Sequence, residues 1–154
     1  MQRLLPEDFT KWDGKTREDY AELYTEGTYP NGAPRIRSEA WPDKELYPDG
    51  FLTPESRTPV VLSPGHLIDR FGSLSGRFTS PVGANFPDRA LPDFSLEKFG
   101  RRDGYHQYEV LHEIPAWAGP AAPALGKTGG ATQYYTNLNI KQLLDRGFLR
   151  EVTP

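Results

Sequence analysis

The chain has 154 residues, a net charge of −3 and no cysteine. That length suits one domain with a core of its own, the charge offers no basic stripe to displace counterions from nucleic acid, and the missing thiols exclude a disulfide framework, thiolate catalysis and thiolate metal sites. No apolar run reaches the roughly eighteen residues of a membrane-spanning helix, and the opening "QRLLPEDF" is too short an apolar stretch for a signal peptide.

Fifteen glycines and fifteen prolines, the latter at about twice ordinary usage, point to many short elements joined by tight turns. Residues 7–25 carry the first helical signal. Tyr20, Leu23 and Tyr24 fall at helical spacing, and Gly14 interrupts the run. Residues 26–58 read as an extended arm, because "TYPNGAP", "AWPDKELYPDG" and "LTPESRTP" are turn chemistry. Trp41, Tyr47 and Phe51 are its expected packing anchors. From Pro59 the chain reads as compact. "PVVL" is a short strand. "HLIDRF" is a second, with Leu67, Asp69 and Phe71 on one face and Ile68 and Arg70 on the other. "GRFTS" is a third, joined to it in a hairpin through "GSLS". "LEKFGRRDG" is a short helix or turn. Residues 105–114 read as one strand, with Tyr108, Val110 and Ile114 on one face and Glu109 and Leu111 on the other. "PAWAGPAAPALGKTGG" reads as an irregular loop whose prolines and glycines forbid a long helix. "ATQYYT" is a strand. "NIKQLLDRG" is a helix with Asn139 as N-cap, Gln142 three residues on and Gly147 just past its end. "FLREV" closes the chain as a strand. The sum is an α+β fold with a compact, mostly antiparallel core, an N-terminal helical segment and one short C-terminal helix. Residues 1–44 form the helical or extended arm, and residues 45–154 the domain.

Few residues have the spacing of known chemistry. His66, His106 and His112 do not follow a zinc-ligand pattern. His106 and His112, six apart on a presumed strand, face one way but lack a third ligand, so no metal is expected. There is no G-x-S-x-G elbow, "GKTGG" lacks the upstream glycine and strand of a P-loop, and no G-x-G-x-x-G occurs.

One stretch stands out: "IDRFGSLSGRF", residues 68–78. Arg70 ends a strand and carries a planar fork that suits a phosphate. Gly72 and Gly76 permit close approach of the backbone, and Phe78 adds a flat face. Arg89, in "PDRALP", is bracketed by prolines on a stiff loop. Two arginines and an aromatic ring suit a ligand with a diphosphate and a flat base. The competing reading is surface arginines and core phenylalanines. In "GGATQYYT", Gln133 must satisfy both an amide donor and an amide acceptor. It either makes a structural bond to the backbone or is aimed at a bound sugar or its attacking water.

At these residues the chain resembles a family. "VVLSPGHLIDRFGSLSGRF", "RALP", "YHQYEVL", "AGPAAPALGKTGGATQYYT" and "LLDRGFLREV" look like the TNT domain, named for tuberculosis necrotizing toxin. The likeness covers about residues 45–153. The family comprises NAD(P)+ glycohydrolases, found as C-terminal toxin domains of bacterial secreted proteins and as fungal surface NADases. The resemblance implies cleavage of the nicotinamide–ribosyl bond of NAD+ or NADP+ as substrate, with no further cofactor. It implies a compact pair of small sheets, ADP-ribosyltransferase-like. It also implies roles: Arg70 and Arg89 on the diphosphate, Phe78 stacked near the nicotinamide, Gln133 as the catalytic polar residue, and His106 beside the substrate. A cognate immunity protein that plugs the site is the implied partner, and secretion or delivery into a target cell the implied location. The absence of disulfides and of any N-x-S/T acceptor favours a bacterial toxin domain over a fungal enzyme.

The chemistry fits so spare a site. The pyridinium departs as neutral nicotinamide and needs no general acid, so no pair of catalytic carboxylates is required. Positioning and stabilisation of positive charge remain the enzyme's work. The alternatives are an ADP-ribosyltransferase, which usually needs a Glu near the ribose, with Glu109 and Glu113 in the central strand but read as lacking a Q-x-E or E-x-E pattern, which favours water as acceptor, and a non-catalytic nucleotide-binding module.

Overall fold

The computed structural model describes residues 5, 9–30, 34–40, 51, 56–72, 74–89, 91, 104–125 and 127–152. Trp41, Tyr47 and all of the expected "LEKFGRRDG" element except Gly104 fall outside them.

The arm begins with a 3-10 turn, Lys11–Gly14, followed by α1, Arg17–Tyr24. Gly14, at φ 78°, interrupts the helical run as expected. Thr16 caps α1 by accepting from the Asp19 amide at 3.1 Å. The stretch expected to be wholly extended pairs with itself: β1, Thr25–Thr28, runs antiparallel to β2, Pro34–Ile36. Tyr20 is fully buried and is flanked by Trp12 and Tyr24, with ring centroids at 5.1 and 4.8 Å. Phe51 is also fully buried, bridged to Ala121.

The body is a sheet of seven strands. In chain order these are β3 (Thr58–Leu62), β4 (Leu67–Phe71), β5 (Phe78–Pro81), β6 (Tyr105–Val110), β7 (Ile114–Pro120), β8 (Thr132–Tyr135) and β9 (Leu149–Glu151). Their spatial order is β3-β7-β8-β5-β4-β6-β9, and every pairing is antiparallel. The sheet has two halves that share β5. The first residues of β5 pair with β8, Phe78 with Tyr135 and Thr79 with Tyr134. Its last residues pair with β4, Ser80 with Asp69 and Pro81 with Ile68. A strand that changes partner along its length leaves two openings. Beyond β5, β4 continues at Arg70 and Phe71 with only β6 beside it, and β8 continues at Gln133 with only β7 beside it.

Two expectations are corrected here. The single strand over 105–114 ends at Val110 and resumes at Ile114, because β6 lies between β4 and β9 while β7 lies between β3 and β8. Exposed Leu111, His112 and Glu113 make the crossing. The segment expected to be an irregular loop from Pro115 onward is instead strand β7 as far as Pro120. Proline withdraws a ladder donor, yet it is tolerated here. β3 pairs only with Thr58-facing Ala118 back to Ile114, and β8 only with Trp117–Pro120. Pro115 and Pro120 therefore each sit where β7 has one neighbour rather than two.

One face of the sheet is covered by α2, Ile140–Asp145. Asn139 and Gln142 form the expected capping box, at 2.8 Å and 3.0 Å, and Gly147 follows the helix at φ 77°. Ile140 and Leu143 pack with Leu62, Ile68, Tyr108, Val110, Ile114, Ala116, Tyr134 and Leu149 in one buried cluster. Each such aliphatic side chain contributes roughly 1.5–3 kcal/mol by leaving water. The opposite face carries Asp69, Phe71, Phe78, Gln133 and Tyr135 by strand alternation. No described helix is long and apolar enough to cross a membrane.

Candidate functional site

The openings beside β5 form a cleft of about 290 Å³, lined by Asp69, Arg70, Phe71, Phe78, Thr79, Ser80, Arg89, Leu91 and Gln133. Four of the five site residues expected from sequence stand together in it: Arg70, Phe78, Arg89 and Gln133.

Arg89 comes from a 3-10 turn, Phe86–Arg89, which the Ala131 amide anchors by donating to Asp88 O at 2.9 Å. Its guanidinium is buried against Asp69. Nη1 donates to Oδ1 at 2.5 Å and Nη2 to Oδ2 at 2.9 Å. Nε and Nη2 also donate to Ala84 O, at 3.0 and 2.7 Å. Four of the five N–H donors of a guanidinium are thus used within the protein, and the cation lies 5.0 Å above the Phe71 ring. Asp69 is fully buried, and its Oδ2 further accepts from Tyr105 OH at 2.8 Å and from the Gly83 amide at 3.3 Å. Gln107 Nε2 donates to the same Tyr105 oxygen at 2.9 Å. Burial, and after it the neighbouring Asp69 carboxylate, push the Tyr105 phenol up to about 12, so it stays a donor at neutral pH.

Arg70 leaves β4 on the other face, as alternation requires. Its Nη1 donates to Phe78 O at 2.9 Å. A Cβ added at Gly76 would overlap the guanidinium, and one at Gly72 would come within 2.9 Å of Nη2. The glycines in "FGSLSGRF" therefore make room for an arginine side chain. The same loop is tied to α2, with the amides of Ile140 and Lys141 donating to Gly76 O and Leu74 O at 3.0 and 2.9 Å.

Phe78 is half-buried, with its ring centroid 5.0 Å from that of Tyr135. Gln133 is half-buried on β8 opposite Gly119, where the glycine passes close to Phe51, Ser56 and Arg57. His106, the fifth expected residue, is not part of the cleft lining. It lies directly across from Arg70 on β6, buried, with Nδ1 2.8 Å from Glu151 Oε2. Its Nε2 is buried with no hydrogen-bond partner among the described residues.

Sequence reasoning did not single out Asp69 or Tyr105. Asp69 stood in view as an acidic residue on an otherwise apolar strand face, which is a signal for a paired carboxylate. The expectation that no Q-x-E pattern occurs is corrected: Gln107 and Glu109 form such a triplet, a spacing that favours the transferase alternative. In the structure Gln107 binds Tyr105, Glu109 binds Arg150, and neither lines the cleft. Among the described residues no three His, Asp or Glu side chains are grouped to hold a metal ion.

Residues 61–152 match the family model for tuberculosis necrotizing toxin. A conidial surface nicotinamide adenine dinucleotide glycohydrolase of Aspergillus fumigatus is 36% identical over 118 residues, which cover 70% of this chain and 49% of the relative. The chain thus spans about half the length of that curated relative. Among solved structures, tuberculosis necrotizing toxin, determined with its immunity factor, superposes with a TM-score of 0.59 at 21% identity. That match covers 88% of this chain and 71% of the other, and speaks to the fold.

Proposed function

The chain belongs to the tuberculosis necrotizing toxin family, and on that premise we propose that it is an NAD(P)+ glycohydrolase that releases nicotinamide and leaves ADP-ribose or its 2′-phosphate. The supporting observation is the cleft shared by Arg70, Phe78, Arg89 and Gln133, which come from β4, β5, the 3-10 turn and β8. The C1′–N bond breaks with its electron pair going to the pyridinium nitrogen, which becomes neutral. Water adds to C1′, and its proton goes to solvent. No group in the cleft has to protonate the leaving group.

The residues divide the remaining work. Phe78 and its tilted neighbour Tyr135 give the nicotinamide a flat wall. Arg70 and Arg89 meet the diphosphate through charge-assisted bonds, Arg89 with the one N–H that Asp69 and Ala84 leave it. Gln133 uses its amide oxygen to orient a ribose hydroxyl or the attacking water. His106, paired with Glu151, lies across from Arg70 on the next strand and takes no direct part in this division. An immunity protein closing this cleft is the proposed partner, and delivery out of the producing cell the proposed route to its target.

Incubation with NAD+ and with NADP+, followed by chromatography, is expected to show nicotinamide and the matching ADP-ribose product. Gln133→Ala is expected to lower kcat on the order of 10²-fold, as for other positioning dipoles. A folded wild-type chain that releases no nicotinamide from either dinucleotide overturns the reading.

A further inference from the structure

The cleft holds a carboxylate and a guanidinium bound to each other where a cation is to be formed. Asp69 has no exposed surface, its two oxygens accept both terminal nitrogens of Arg89, and Tyr105 OH and the Gly83 amide complete its shell. The pair costs desolvation, and Arg89 is anchored to the backbone through Ala84 O in any case. Position alone therefore does not account for the acid.

Charge does. The proposed reaction spreads positive charge over the ribose ring, and an uncancelled Arg89 guanidinium, held by Asp69 on the sheet face that carries Phe78 and Gln133, would oppose it, whereas Arg70 leaves β4 on the other face. At an effective dielectric constant of about 20, a unit charge some 6–8 Å away changes a barrier enough to alter a rate roughly 10- to 100-fold. Resting on that reading, we infer that Asp69 is a positioning residue that cancels the charge of Arg89, so that this arginine can shape and hydrogen-bond the substrate without repelling the developing oxocarbenium ion.

This makes a prediction opposite in sign to that of a structural role. Asp69→Asn retains the shape of the side chain and an oxygen acceptor, but leaves Arg89 positive. Its kcat for NAD+ is expected to fall roughly 10- to 100-fold, while KM stays level or drops, because the dianionic diphosphate meets a more positive wall. ADP-ribose, measured by calorimetry, is expected to bind at least as tightly as to wild type. Loss of packing would instead raise KM and weaken ADP-ribose.

The double variant Asp69→Asn/Arg89→Gln makes the wall neutral again. It is expected to raise kcat at least about fivefold over Asp69→Asn alone, with a KM raised above wild type by the lost diphosphate contact, and it carries the test if the single variant shows no cooperative unfolding. A raised KM with weakened ADP-ribose in a folded Asp69→Asn protein, an unchanged kcat there, or a double variant whose kcat does not rise above that of Asp69→Asn each overturn the inference. Wild-type protein without nicotinamide release overturns the functional reading instead.

Discussion

The two faces of β4 hold two charged neighbours in opposite ways. Asp69 is satisfied mainly by side chains brought from elsewhere, Arg89 and Tyr105. Arg70, one residue on, donates to the main-chain oxygen of Phe78 and lies in space that Gly76 leaves open. The first arrangement depends on partners 20 and 36 residues away, and the second on the hairpin that follows Arg70 directly. A charge held by distant side chains is vulnerable to removal of its partner. A charge held by a hairpin is vulnerable to any atom added to the loop.

Removing Asp69 should break the contrast most strongly. Asp69→Ala leaves Arg89 buried without its counter-ion, and denaturant unfolding should show a loss of about 3–5 kcal/mol. The hairpin face should respond to added volume instead. Gly76→Ala displaces the Arg70 guanidinium from Phe78 O, at about 1.5–3 kcal/mol for a hydrogen bond to a charged group, and is expected to raise KM for NAD+ more than it lowers kcat. A fall in kcat alone would contradict a substrate contact by Arg70.

Tyr105→Phe makes the smallest change, removing one of four donors to Asp69 at about 1.5 kcal/mol, the low end for a bond to a charged group because three donors remain. It also has a pH signature. Because the folded-state phenol is raised to about 12 from its ordinary value near 10, the folded protein holds that proton more tightly than the unfolded chain. The associated stability is fully present below about pH 10 and is lost as pH rises toward 12. Melting temperatures should therefore decline across that interval in wild type and decline less in Tyr105→Phe. Equal slopes would place the alkaline titration elsewhere.

Legibility followed locality. The capping box of α2 was readable because Asn139 and Gln142 lie within one turn of each other. Strands β4, β5 and β8 were readable from alternation and flanking glycines. Strand β7 was not, because Pro115 and Pro120 argue against a strand until it is known that each has only one neighbouring strand. The residues of the cleft were named from glycine context and from resemblance, but the partner of Arg89 was not. Nothing at Asp69 in the sequence points 20 residues ahead.

The N-terminal arm makes the same point. Its helix was visible, but not that Tyr20 would be wholly buried with the Lys127 cation 5.8 Å from its ring, or that Phe9 would lie 5.8 Å from Phe86, which in turn packs on Phe71 of the cleft.

The amino-acid order by itself determined the short antiparallel elements, the helix cap, the glycine hairpin around Arg70 and the family, since each depends on residues close in the chain or on motifs read in a row. Only the tertiary structure decided that β5 changes partners halfway, that a cleft opens there, and that Asp69 closes on Arg89. Strand order and buried ion pairs are set by which surfaces exclude water together, and that competition involves the whole chain at once.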